Sequence, residues 1–260
     1  MNIIVCIKQV PDTTEIKIDP ITNTLVREGV ESIINPFDLY AIEEAVRLKE
    51  QYGGTVTAVT MGPPQAEAAL REAVSLGVDK IILLSDRKFA GADTWATSLT
   101  LAGAVKKISE YDLVLFGQQA IDGDTAQVGP GVAAHLDLPQ VCFVRKIESI
   151  EDSTAVLQRL MEDGYDRMQT KMPAVITVVK EINVPRLPSL RGKKNAKSAE
   201  LIVWNAADLE LDEKSIGLNG SPTQVVKIFT PEMHKKGEKF EVTPEESAEI
   251  LYRRIKELKG

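Results

Sequence analysis

Cysteine and histidine, the residues that build disulfides and many metal centres, are scarce: the 260 residues include two of each. Cys6 and Cys142 each lie in an apolar run, and no cysteine or histidine pair has the spacing of metal ligands. We therefore expect two buried, reduced thiols and no metal site. Signatures of nucleophilic hydrolysis, such as GxSxG or a Cys/His pattern, are also missing.

Excess positive charge and long apolar runs are missing as well. The formal net charge is −7, which argues against general binding of nucleic acid. No apolar run reaches the roughly 18–20 residues that span a bilayer, and residues 1–8 read as a strand rather than a signal peptide. These features predict a cytoplasmic protein without a membrane segment. Hydrophobic residues make up 43%, enough for a sizeable core.

The first two thirds of the chain alternate between strand patterns and amphipathic helix patterns. Strands are predicted at 3–7, 55–61, 80–84 and 113–116, and helices at 36–51, 63–76 and 93–109. Asn35 and Asp93 stand where N-caps are expected, and Gly77 stands where the second helix should end. This order predicts an α/β fold, a parallel sheet with helices on both faces.

In such a sheet the loops that follow the strands meet at one edge, where ligands bind. Segments 8–11, 61–64 and 117–125 should meet there, with 35–38 as a fourth candidate. Segment 117–130 (GQQAIDGDTAQVGP) joins an apolar strand to a helix pattern that begins at Val132. Its glycines let the backbone approach a phosphate, and free N–H groups at a helix start bind anions. The sequence therefore predicts a nucleotide site, although neither GxGxxG nor GxxxxGK[ST] is present.

Other segments interrupt or follow these units. The insertion 12–33 suggests a small hairpin, and short strands are predicted at 141–150, 155–161 and 167–170, with a core strand at 174–179. Segment 185–197 is basic and rich in proline and glycine, and two interpretations stay open: a solvated loop, or a docking loop for an acidic partner. Residues 205–243 read as an extended arm along another subunit, followed by a helix at 244–258. We expect a nucleotide-binding domain at 1–183 and a docking loop with its arm at 184–260.

Five of these segments together resemble the electron transfer flavoprotein beta subunit, over essentially the whole chain. They are VCIKQVPD at 5–12, NPFD at 35–38, VTMGP at 59–63, the loop 117–130, and the stretch 159–177. The resemblance implies an αβα domain like that of the adenine-nucleotide alpha-hydrolases, with β insertions and an extended C-terminal arm that ends in a helix. It also implies a heterodimer with an alpha subunit that carries the electron-shuttling FAD. The beta subunit holds AMP in ordinary shuttle forms, and a second FAD beside an NADH site in bifurcating forms.

Carried over by position, the resemblance implies a set of nucleotide contacts and no catalytic residue. The contacts are Cys6, Asn35, Pro36, Phe37, Asp38, Met61, Gly117, Gln118, Gln119, Ala120, Ile121, Asp122, Gly123, Asp124, Thr125, Ala126, Gln127 and Val128. Residues 122–125 should wrap the phosphates through backbone N–H groups and the Thr125 hydroxyl. Asp38 can accept a hydrogen bond from a ribose hydroxyl or an adenine amine. Capping of the following helix is the alternative role of Asp122 and Asp124, and the two roles can coexist.

The run 122–130 (DGDTAQVGP) resembles the bifurcating group from anaerobes. Ordinary shuttle forms tend to have a third acidic residue where Gly123 stands. Since glycine removes a side chain and a charge, it leaves space for the larger diphosphate of FAD. The resemblance therefore favours FAD over AMP.

The docking loop of the family corresponds to 185–197. Leu190 matches the position of the anchoring leucine, and Arg191, Lys193 and Lys194 follow it. The implied partners are flavoproteins of the acyl-CoA dehydrogenase type. In this chain the run 191–194 (RGKK) replaces a more apolar stretch, so the choice of partner and the acyl-CoA substrate stay open.

The sequence leaves three functions to compare. In the first, NADH gives hydride to an FAD held here, and electrons pass to the alpha-subunit FAD with an enoyl-CoA reductase and to ferredoxin. In the second, the chain is a non-catalytic module that holds AMP. The third is an adenine-nucleotide hydrolase, which usually needs a Ser-Gly-Gly-x-Asp-Ser loop after the first strand. Residues 8–12 read KQVPD instead, which counts against it.

Overall fold

The computed structural model of the chain describes residues 1–12, 32–226 and 237–259, with side chains described up to 258. The chain divides into two compact units, Met1–Val226 and Lys227–Gly260. The hairpin predicted within the insertion 12–33 falls almost wholly outside the described residues.

Eleven strands, six α-helices and three short 3-10 helices are described. In chain order the strands and α-helices are β1 Asn2–Cys6, β2 Gln9–Pro11, β3 Ser32–Ile34, α1 Pro36–Tyr52, β4 Thr55–Met61, α2 Glu67–Ser75, β5 Lys80–Leu84, α3 Thr94–Ile108, β6 Leu113–Gly117, α4 Val128–Leu136, β7 Gln140–Glu151, β8 Thr154–Met161, β9 Gly164–Lys171, β10 Ala174–Val178, α5 Leu190–Ser198, β11 Leu201–Trp204 and α6 Pro244–Lys259. The strands and helices predicted between residues 3 and 116 are confirmed, although the helix predicted at 63–76 begins with a 3-10 turn before α2.

Nine strands form one sheet in the order β11-β5-β4-β1-β6-β10-β7-β8-β9. Neighbours from β11 to β7 run parallel, while β7, β8 and β9 are antiparallel neighbours. The predicted parallel sheet is therefore confirmed, and the β region at 141–170 extends it as a meander. Strands β2 and β3 form a separate antiparallel pair at the two ends of the insertion.

Alternate residues of β1 point into two cores, one on each face of the sheet. Ile3 and Val5 pack in the core that α1 and α2 cover. Ile4 and Cys6 pack in the core that α3 and α4 cover. Because both faces are buried, β1 reads as a continuous apolar run rather than as an alternating one. The helices are thus confirmed on both faces.

Asp93 and Gly77 act at helix ends as the sequence indicates. The Asp93 carboxylate accepts the N–H groups of Trp95 at 3.0 Å and Ala96 at 3.1 Å, and so caps α3. Gly77 has a φ of +119°, beyond the end of α2, a conformation that glycine adopts at little cost. The local sequence therefore defines these boundaries.

The segment 185–197 is not a loop throughout, because α5 begins at Leu190. Ser189 caps this helix by accepting the N–H of Gly192 at 2.9 Å. A Cβ on Gly192 would lie 2.1 Å from the carbonyl oxygen of Ser75, so glycine allows α5 to pack closely on α2. Ala196 is buried in the same contact. Packing on α2 thus overrides the poor helix propensity of a glycine-containing, basic run.

The first unit extends further along the chain than residue 183. Strand β11 pairs with β5 at one edge of the sheet. Ala206, Leu209 and Ile216 are buried in the core that α3 and α4 cover, so this part of the expected arm packs on its own domain. The structure divides the chain at Val226, and the expected division of functions at residue 183 stays a prediction.

Helix α6 confirms the helix predicted at 244–258. Leu251, Ile255 and Leu258 lie on its predicted apolar face, and all three are exposed in the described structure. In the part of the chain that the structure describes, no helix is both long and apolar enough to cross a membrane.

Candidate nucleotide-binding site

The four segments predicted to converge do meet at the carboxyl edge of the sheet. Lys8 accepts the backbone N–H of Asn35 at 2.8 Å. Its ammonium lies 2.5 Å from Asp122 in the loop after β6. The Gln9 amide donates to the carbonyl oxygen of Gln65, beside the loop after β4, at 3.3 Å. The expectation drawn from strand order is therefore confirmed.

Asn35 stands at the N-cap of α1, but its side chain makes no capping hydrogen bond. The Asn35 amide is buried and instead binds the loop 117–127: Nδ2 donates to the carbonyl oxygen of Gln119 at 2.8 Å, and Oδ1 accepts the N–H of Ile121 at 3.2 Å. The prediction of an N-cap at Asn35 is therefore right for the position and wrong for the side chain. Asn35 connects the start of α1 to the candidate phosphate loop.

Asp38 holds the ends of β1 and β6 together. Its carboxylate is buried and accepts the backbone N–H of Lys8 at 2.7 Å. A Cβ on Gly117 would lie 2.4 Å from Asp38 Oδ1, so only glycine allows this approach. Burial raises the pKa of Asp38 to about 7, against the lowering effect of the hydrogen bonds from Lys8, Asn35 and Gly117. The carboxylate is therefore engaged inside the protein, and its expected contact with a ribose or adenine stays a prediction.

The Asp38 carboxyl predicts a pH dependence of stability. Its pKa is about 7 in the folded protein, against about 3.9 for an unperturbed aspartate. Between these values the folded protein keeps a proton that the unfolded chain releases, so the free energy of unfolding falls as the pH rises. The difference in free energy of unfolding between the wild type and Asp38→Asn, measured in urea, should favour the wild type more at pH 5 than at pH 8. An equal stability difference at both pH values would contradict this assignment.

The loop after β6 has a backbone shape suited to anions. Asp124 and Ala126 have φ values of +47° and +54°, and Gln127 returns to the right-handed helical region. Among the described residues, no acceptor is found for the backbone N–H of Thr125, Ala126 or Gln127. Alternating backbone handedness can turn successive N–H groups to one side, which is the geometry of a concave anion site, so the loop stays the candidate phosphate loop.

Helix α4 begins at Val128, four residues before the predicted start. Neither Asp122 nor Asp124 caps it, because Asp122 pairs with Lys8 and Asp124 accepts a hydrogen bond from the Gln119 amide. The alternative role given to these two carboxylates is therefore wrong. Glycines in the first turn of α4 bring the helix close to the sheet edge: a Cβ on Gly129 would lie 2.8 Å from Thr177 Cγ2.

Gly123 faces open space. A Cβ there would have only one described heavy atom within 4 Å, the Lys8 ammonium nitrogen at 4.0 Å. The φ of Gly123 is not left-handed, so the backbone does not require glycine at this position. The open space, the N–H groups of 125–127 and the Lys8 cation together fit the phosphate part of a nucleotide.

The two cysteines differ in burial. Cys6 is buried below the site, and burial raises the pKa of its thiol, so it is a neutral thiol at physiological pH. Cys142 is only half-buried, which corrects the expectation for that residue. Cys142 lies beside a bulge in the pairing of β7 with β10. There the N–H of Phe143 donates to Thr177 Oγ1 at 3.0 Å instead of to a backbone carbonyl of the neighbouring strand.

The predicted docking residues lie on a second surface. Leu187 and Leu190 are 88% and 89% exposed. Arg186, in the same segment, is held against α1 by two glutamates. The Arg186 guanidinium lies 2.7 Å from Glu43 and 2.6 Å from Glu50. The sequence gives no signal for this clamp, because its partners are about 140 residues apart.

Comparison with known proteins agrees with this fold. A model of the electron transfer flavoprotein domain matches residues 22–209. The electron transfer flavoprotein subunit beta of Thermoanaerobacterium thermosaccharolyticum is 53% identical over 256 residues, 98% of each chain. Subunit CarD of the caffeyl-CoA reductase-Etf complex of Acetobacterium woodii is 50% identical, over 99% of this chain and 98% of CarD. Protein FixA of Azotobacter vinelandii is 48% identical, over 91% of this chain and 86% of FixA.

These matches define the class of the protein, which is an electron-transferring flavoprotein subunit built on an α/β domain. The chain belongs to the electron transfer flavoprotein family, as a beta subunit. A beta subunit implies an alpha-subunit partner, and the family implies association with a flavin or nucleotide.

Proposed function

We propose that this chain is the beta subunit of an electron-bifurcating flavoprotein and that its sheet edge holds FAD. The observation that carries the proposal is the open space at Gly123 beside the Lys8 ammonium. A diphosphate needs more room and more positive potential than a single phosphate. The space at Gly123 is where ordinary shuttle forms tend to have a third carboxylate. The name of CarD, a subunit of a caffeyl-CoA reductase-Etf complex, supports a role in electron transfer to an enoyl-CoA reductase.

FAD bound here would supply the redox chemistry, which is acceptance of the two electrons of a hydride from NADH and transfer of one to the alpha-subunit FAD and one to ferredoxin. The residues of this chain bind and position the nucleotide. The N–H groups of 125–127 donate to phosphate oxygens, and α4 directs the positive end of its dipole to the same place. Asn35 and Asp38 fix the loop against β1 through the bonds described above. No residue is assigned as a general acid or base.

Two further surfaces belong to this proposal. The exposed Leu187 and Leu190, next to the basic start of α5, dock a flavoprotein of the acyl-CoA dehydrogenase type. The exposed apolar face of α6 packs on the alpha subunit, since such a face is rarely left in water. The assembled complex works in the cytoplasm.

The test is to co-express the chain with its alpha subunit, count FAD and AMP per heterodimer, and follow flavin bleaching by NADH without oxygen. Two FAD, no AMP and rapid bleaching would support the proposal. One FAD with one AMP and no response to NADH would refute it and leave a passive shuttle subunit.

Replacing Gly123 with Glu should change the preferred nucleotide of this site from FAD to AMP. The new carboxylate reaches the Lys8 ammonium without a backbone clash and repels the second phosphate, so FAD occupancy of the beta subunit should fall at least about tenfold while AMP is kept. Gly123→Ala, which adds no charge, is the matched control and should keep FAD. Unchanged FAD occupancy in Gly123→Glu would count against the role assigned to this space.

A further inference from the structure

Lys8 is the only basic residue in the four segments that meet at the sheet edge, 8–11, 35–38, 61–64 and 117–130. Those segments also carry two exposed carboxylates, Asp122 and Asp124, besides the buried Asp38. An incoming phosphate therefore meets a site whose side chains are net negative. Backbone N–H groups offset part of this repulsion, and a cation must offset the rest.

The position of Lys8 is fixed by its backbone. Its N–H donates to Asp38 at 2.7 Å, and its carbonyl oxygen accepts the N–H of Asn35 at 2.8 Å. The side chain then extends into solvent towards the loop, with 49% of its surface exposed. The Lys8 backbone is therefore held in place, while its exposed side chain can move the ammonium.

The ammonium has one side-chain partner among the described residues, Asp122 at 2.5 Å. Both side chains are partly exposed, so the pair contributes at most about 1 kcal/mol to stability. An ammonium has three donors, and one bond to Asp122 leaves two of them for another acceptor. The open space at Gly123, 4.0 Å from Nζ, lies next to those donors.

We propose that Lys8 is a phosphate-binding residue and that Asp122 occupies its ammonium only until a nucleotide phosphate takes that place. This inference rests on the proposed nucleotide function of the loop. Asp122 is then a weak internal competitor for the phosphate. Without a ligand, the ion pair keeps the loop after β6 close to the loop after β1.

The test uses the heterodimer stripped of its beta-site nucleotide, with calorimetric titration of adenosine, AMP and ADP. Lys8→Met should lower ADP affinity by about tenfold to hundredfold, as expected for loss of a charge-assisted hydrogen bond. Adenosine, which has no phosphate, should bind Lys8→Met as it binds the wild type. Asp122→Asn should bind ADP more tightly than the wild type does.

Lys80→Met is the matched control, because Lys80 is an exposed lysine at the start of β5, at the opposite edge of the sheet. Lys8→Arg should keep most of the ADP affinity. Unchanged ADP affinity in Lys8→Met, or an equal loss for adenosine, would overturn the role of Lys8. Failure of the wild type to bind any of the three ligands would overturn the proposed nucleotide function and this inference with it.

Discussion

Replacing Arg186 with Met is expected to lower the free energy of unfolding of the first unit by about 2–4 kcal/mol. Arg186 reaches Glu43 through its backbone N–H, Nε and Nη2, and Glu50 through Nη1 and Nη2. The Glu43 side chain is only 8% exposed, so losing Arg186 leaves a buried charge without a counter-ion. The expected range lies about 1 kcal/mol lower than the about 3–5 kcal/mol of fully buried pairs, because the Arg186 side chain is 32% exposed.

Urea unfolding measures this loss, and two variants control for it. Arg254→Met breaks an exposed pair with Glu238 and should change stability by less than about 1 kcal/mol. Adding Glu43→Gln to Arg186→Met should recover part of the loss, because no buried charge then remains without a partner. If Arg186→Met proves as stable as Arg254→Met, the clamp does not hold this segment.

Replacing Asn35 with Ala is expected to cost about 2–4 kcal/mol of stability and to weaken nucleotide binding. Asn35 is 1% exposed, and both ends of its amide are bonded to the loop after β6. The substitution leaves the carbonyl oxygen of Gln119 and the N–H of Ile121 without these partners. Because the same loop carries the N–H groups of 125–127, which have no acceptor among the described residues, its loosening should lower ADP affinity as well.

Thermal unfolding and ADP titration of the heterodimer measure the two effects of Asn35→Ala. Gln127→Ala is the stability control, since Gln127 also stands at a helix N-cap without a capping bond and is exposed. The control should unfold within about 0.5 kcal/mol of the wild type. A stable Asn35→Ala variant that binds ADP normally would show that the loop keeps its shape without the amide.

The sheet and the place of the site could be predicted because their causes are local. Apolar runs such as 113–116 specify buried strands, and the order of strands and helices specifies the edge where loops meet. Asp93 caps the helix directly after it, so four residues contain the whole signal. Family resemblance adds the residues of the loop, which physical patterns alone do not single out.

The rest could not be predicted because its causes lie far apart in the chain. The Asn35 amide bonds residues more than 80 positions away, where the capping rule considers only the next three. Helix α5 depends on the close approach of Gly192 to Ser75. The local sequence around Gly192 does not predict this contact. The Arg186 clamp joins three charges that look solvated in the sequence.

Helix α1 sets the separation between the candidate nucleotide site and the exposed leucines of segment 185–197. Asn35 and Asp38 at its start hold the nucleotide edge, while Glu43 and Glu50 further along hold Arg186 beside the exposed leucines. Its 17 residues form one rod, about 25 Å long at 1.5 Å per residue. A protein that docks at Leu187 and Leu190, as proposed above, would therefore stand at a constant distance from the proposed nucleotide. Under the proposed function, any change in the electron path between the two would then come from movement of the other chains.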